Sequence, residues 1–164
     1  MMKKVAKRVV IKEDTGGFCG VQYFTTLIIK KNSISYKERT ENHIDSMFYA
    51  DRDYSYKYKI DSSLFESKFD DLVNVIKKTH NDIKSGRHIL MHCTDVGVNK
   101  IFVEYEDGSK TSIEFYCSMY ENQFDEIANI IRTMIPSCEQ ISEYLMTEEE
   151  LDKMYNPDGV EEDD

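Results

Sequence analysis

The sequence predicts an α+β fold: an antiparallel sheet of six to eight strands with two helices packed on one of its faces. Three observations predict it. Much of the chain alternates apolar and polar residues in short runs, the period of a half-buried strand. Two stretches, 63–78 and 118–133, instead place apolar residues at helical spacing behind Ser-x-x-Glu, the capping-box signature. Finally, Asp107-Gly108 stands between two alternating runs and is a strong local hairpin signal.

Taken in order, Val5, Val9 and Ile11 predict a first strand near 5–12, followed by a Gly-rich turn at 15–20. A Gly-rich loop cradles phosphate when it opens a helix. This one leads into Val21–Ile29, which is strand-like, so it is expected to be a hairpin connection. Lys31-Asn32 turns the chain into a third strand at Ser33–Glu38, and a short strand is expected at Ser46–Tyr49. Tyr54, Tyr56, Tyr58 and Ile60 share one parity, and because the row ends in Ile60 it is expected to face the core rather than to stack bases.

The first helix follows, with Phe65, Phe69, Leu72, Val73 and Ile76 on its apolar stripe and Ser85-Gly86 at its end. A strand is expected at Arg87–Cys93, then the hairpin 101–105 and 111–117. Ile101, Val103 and Tyr105 share a face with Ile113, Phe115 and Cys117, while Phe102, Glu104, Glu114 and Tyr116 occupy the other. The second helix carries Tyr120, Phe124, Ile127, Ala128, Ile131 and Ile135 and is stopped by Pro136. A helical turn is expected at 141–146.

The two helices align in one register. Ser63, Glu66, Phe69, Asp70, Asn74 and Ile76 recur as Ser118, Glu121, Phe124, Asp125, Asn129 and Ile131, which predicts an internal strand–helix repeat, 54–78 against 109–133. The expected organisation is one domain over 1–146, followed by an acidic helix and tail over 147–164. Of the net charge of −10, residues 147–164 carry nine acids against Lys153, or −8, which leaves −2 for the body. Such tails solvate. No run of eighteen apolar residues spans a membrane, and the N-terminal lysines lack a following signal-peptide segment, so the expected location is the cytoplasm with free thiols.

Candidate chemistry is sparse. His88 and His92 lie about 13 Å apart on a straight strand, too far for one zinc bound at about 2 Å by each, and Cys93 points the other way. No metal or cofactor is expected. Cys117 or Cys138 could serve as a catalytic thiol, but the parity of Cys117 with Ile113 and Phe115 reads as a small core residue. Asp70/Asp71 and Asp125/Glu126 are first-turn acids that the helix dipole explains.

What remains is the hairpin's outer face. Phe102 and Tyr116, near His88 and His92, form a candidate partner-binding surface with Glu104 and Glu114, and Glu148, Glu149 and Glu150 form a second in the tail. Alternatively Tyr36, a loop or the C-terminal segment covers those aromatics. With Glu104, Glu106 and Glu114 beside them, phosphates would be repelled, so the expected partner is a protein and not nucleic acid.

Four short motifs add a resemblance: Ser55-Tyr56-Lys57, Tyr105-Glu106-Asp107-Gly108-Ser109-Lys110, Tyr116-Cys117 and Ile135-Pro136-Ser137-Cys138-Glu139. Over 54–150 the chain resembles a family of uncharacterised small bacterial proteins, and that resemblance implies no activity and no functional residue. The expected function is therefore a non-enzymatic protein-binding module. The alternatives are an acidic inhibitor of a nucleic-acid-binding defence enzyme, of anti-CRISPR or anti-restriction type, and a cysteine-dependent enzyme.

Overall fold

A computed structural model describes residues 4–14, 21–42, 53–86, 98–115, 124–141 and 145. Six strands form one antiparallel sheet: β1 (Ala6–Asp14), β2 (Val21–Lys30), β3 (Ser33–Asn42), β4 (Asp53–Lys59), β5 (Asn99–Tyr105) and β6 (Lys110–Phe115), in the order β4-β3-β2-β1-β5-β6. Helices α1 (Ser63–Lys84) and α2 (Asp125–Arg132) pack on one face. The expected α+β class is what forms.

Four of the strands make a run of neighbours in sequence, and β5 then joins the free edge of β1. Val9 opposes Ile29 on one side and Val103 on the other; Ile11 likewise lies between Leu27 and Ile101. These residues point toward the helices and, with Ile34 of β3 and Ile113 of β6, build the sheet's half of the core. Phe69, Leu72 and Ile76 of α1 and Ile127 and Ile131 of α2 supply the other half, all fully buried. Strand period 2 and helix period 3.6 thus meet along a single apolar layer.

At 22 residues α1 is about 33 Å long, while six strands at about 4.8 Å spacing make a sheet about 24 Å wide. The helix leaves the β4 edge and reaches β5 and β6 at the opposite one, where it also packs on α2. It therefore crosses the whole sheet, and among the described residues no helix lies on the other face.

Two local expectations change. The N-cap of α1 is Ser62, extended at φ −151 and ψ 124, and its side chain makes no capping bond. Starting one residue early puts Glu66 at the fourth helical position, out of reach for a reciprocal box. The helix runs to Lys84 and ends at Ser85-Gly86 as expected, with Thr79 still facing the core and Ile83 packed against it. In α2, Phe124 is the N-cap, and the end precedes Pro136 by a tightened turn in which Met134 N–H donates to Ile131 O at 2.9 Å.

The expected elements at 15–20, 46–49 and 87–93, the second capping box at 118–121, the turn at 141–146 (save Ile141 and Leu145) and the tail 147–164 lie outside the described residues. Within them, Phe69/Phe124, Leu72/Ile127, Val73/Ala128 and Ile76/Ile131 are buried at both members of each pair. The strands ahead of the two helices, β4 and β6, are the two opposite edges of the sheet.

Candidate interaction surface

The helix-free face is assembled from the alternate residues of all six strands. One cross-strand row runs Ser112, Phe102, Val10, Ile28, Ser35, Lys57, from β6 to β4. Its middle is an apolar stripe across three strands. Val10 is only 3% exposed although it belongs to this face, because Phe102 and Ile28 flank it, and both of these remain partly exposed. A second row places Glu114, Lys100, Lys12, Thr26, Lys37 and Ser55 side by side. Phe24 stands farther along β2, beside Arg39.

Both phenylalanines carry a cation. Lys110 Nζ lies 5.0 Å from the Phe102 ring centre, and the Arg39 guanidinium lies 5.3 Å from that of Phe24. These are ordinary cation–π distances. Between the rings lie Val10, Ile28, Lys12 and Thr26, while the small hydroxyl side chains Ser112 and Ser35 stand on the outer strands to either side.

Two of the three acids expected beside these aromatics, Glu104 and Glu114, are occupied, and the third, Glu106, lies exposed in the turn after β5. Glu104 accepts from Arg8 Nε at 3.1 Å and Nη2 at 2.8 Å, with Lys7 Nζ at 3.7 Å. The Arg8 hydrogen bonds hold its carboxyl below the usual carboxylate range, aided by the Arg8 and Lys7 charges. Glu114 pairs with Lys100 at 2.5 Å. Strand parity puts Arg8, Lys12, Lys30, Lys37, Arg39, Lys57, Lys59, Lys100 and Lys110 on the face against Asp14, Glu41, Asp53, Glu104 and Glu114: nine bases to five acids. By strand parity the described face has a net charge of +4 on a chain of −10. The premise of acidic surroundings is thereby corrected.

Of the residues singled out from the sequence, Phe102, Glu104 and Glu114 share this face as expected. Tyr116, His88, His92, Glu148, Glu149 and Glu150 lie outside the described residues. Tyr36, one proposed cover for the aromatics, lies on the helix side. The bases were passed over. Their signal was the same parity used for the apolar residues, since Lys57 and Lys59 alternate with the tyrosines and Lys12 with Ile11.

The helix side holds the other polar cluster. Tyr36 and Tyr56 stack at 5.3 Å, so the core-facing reading holds for Tyr56, while Tyr58 at the sheet edge is 37% exposed. The Tyr54 and Tyr58 hydroxyls donate to the two carboxylate oxygens of Glu139, which tethers the turn after α2 to β4. Buried Glu38 accepts from Tyr36 Oη at 2.7 Å and Gln140 Nε2 at 2.9 Å. The bonds to Glu139 raise the Tyr54 and Tyr58 hydroxyls, Tyr58 to about 12, and burial raises Tyr56 further. The same bonds lower Glu139. Near neutrality these groups are fixed as hydroxyl donors and an ionised acceptor, away from the range where acid–base catalysis works. The cluster is a clasp.

Cys138 is free and exposed beside the clasp; Cys19, Cys93 and Cys117 lie outside the described residues. Among the described residues no group of three or more His, Cys, Asp or Glu is placed to hold a metal ion. No helix there is long and apolar enough to cross a membrane.

No protein-family model matches the chain, and no curated protein or solved structure matches it either. The resemblance carried by the four short motifs therefore stands on those motifs alone.

Proposed function

We propose that this chain is a non-enzymatic binding module whose working surface is the helix-free face of the sheet, centred on Phe102. The observation that supports this reading is the Phe102–Val10–Ile28 stripe, continuous across three strands and bordered by charged side chains. A contiguous apolar patch rimmed by polar groups is the usual form of a macromolecular contact. With Glu104 and Glu114 engaged by bases, an acidic-inhibitor role would rest on the acids of 147–164.

The test is affinity capture from extracts of the native host with the full chain, Phe102→Ala and Leu64→Ala. Leu64 is 65% exposed on α1 and controls for non-specific apolar adhesion. The expected result is a partner retained by the wild type and Leu64→Ala but lost with Phe102→Ala. Equal capture by all three would move the binding surface elsewhere.

A further inference from the structure

We infer that the partner of this face is single-stranded RNA; the inference rests on the face being the working surface and adds the chemistry of what it holds. Charge supplies the first reason. Lys12, Lys37, Lys57 and Lys59 have no carboxylate partner among the described residues, while Glu104 and Glu114 are both engaged. Lys57 and Lys59 are about 6.8 Å apart along β4, and Lys12 and Lys37 about 10 Å apart across two strand spacings. A polyanion can meet these cations at successive sites, whereas an apolar protein surface would leave them desolvated and unpaired.

The rings supply the second reason. Phe102 and Phe24 lie partly open on the same sheet face, and Lys110 over Phe102 can swing from ring to phosphate. Unpaired bases stack on such rings in any sequence, which duplex bases cannot do. The hydroxyls of the face supply the third. Ser35, Ser112 and Thr26 present hydroxyls that can both donate to and accept from a ribose 2′-hydroxyl, the group that separates RNA from DNA. The chain's negative total does not oppose this at moderate salt, because charges beyond about 10 Å are largely screened at about 0.1 M.

The experiment is fluorescence anisotropy of an end-labelled oligouridylate of about twelve nucleotides with the full chain. Four phosphate contacts give a salt slope of about −2.8, so raising salt from roughly 50 to 200 mM should weaken binding about fiftyfold. Phe102→Ala should weaken it about 5- to 100-fold, and Phe102→Tyr should restore it, which separates stacking from folding. Lys37→Glu combined with Lys57→Glu should abolish binding, and Lys84→Glu on α1 should leave it unchanged.

Absence of binding at the lower salt overturns the inference. So does equal or tighter binding of the matching DNA strand or of duplex RNA, or binding that Phe102→Ala and the lysine pair leave intact. Repeating the extract capture after ribonuclease treatment separates the two readings. A partner still lost with Phe102→Ala but insensitive to nuclease overturns RNA and keeps the face, while capture independent of Phe102 removes both.

Discussion

Glu139 shows what one residue contributes when its partners come from a distant strand. Its carboxylate takes hydroxyl protons from Tyr54 and Tyr58, more than eighty positions earlier, and so ties the turn after α2 to the edge strand β4. The linkage has a sign at each end of the pH scale. Those bonds depress Glu139 in the folded chain, so its contribution is complete above the unfolded glutamate value of about 4.3 and disappears as pH falls through the lower folded value. Tyr58 is raised to about 12, so its contribution is complete below about 10, the unfolded value, and is lost as pH rises toward 12. In Glu139→Gln the acid-side loss of melting temperature should be shallower than in the wild type. Tyr58→Phe should flatten part of the alkaline loss. Thermal unfolding at a series of pH values measures both, and parallel curves for wild type and variants would show the clasp to be uncoupled from stability.

At the scale of elements, local periodicity was legible wherever one face is buried. The burial of β5 alternates along its whole length, and Phe65, Phe69, Leu72, Val73 and Ile76 line α1 as their spacing predicts. The α1 cap was misplaced by one residue, since Ser62 and Ser63 are equal candidates and only the backbone angles decide between them. The β5–β6 hairpin was legible from Asp107-Gly108. There Gly108 adopts φ +78, Tyr105 N–H donates to Ser109 O at 3.0 Å, and Asp107 Oδ1 accepts from Ser109 N–H at 2.9 Å. A Cβ at Gly108 would meet no atom within 4 Å, so Gly108→Ala tests backbone conformation alone. It should cost about 1–2 kcal/mol, the usual penalty for an L residue in the left-handed region, measured as a lower urea midpoint with an unchanged slope. No loss would mean that the turn adopts a different backbone at little cost.

At the scale of the whole molecule, the feature hidden from sequence reading was adjacency. Arg8 neutralises Glu104 across 96 positions because β5 inserts beside β1, and no local pattern announces that pairing. Parity placed Glu104 outward correctly, but only strand order shows which bases surround it, and so the sign of the face was misjudged. The outcome is a chain of −10 with a described face of +4, and the two pull on a polyanion in opposite directions at different ranges. Deleting residues 147–164 removes −8 and leaves −2, without touching any residue of the face. At about 10 mM salt the Debye length is about 30 Å, comparable with the length of α1, so the deleted charge is felt by an approaching strand; at about 1 M it is about 3 Å and is not. The truncated chain should therefore bind the RNA oligomer faster at low salt, by up to about tenfold, with an unchanged dissociation rate because the contacts are the same. The advantage should vanish at high salt. Stopped-flow association across that range measures it, and a truncated chain that associates no faster at low salt would show that the acids of 147–164 do not oppose the approach of RNA to this face.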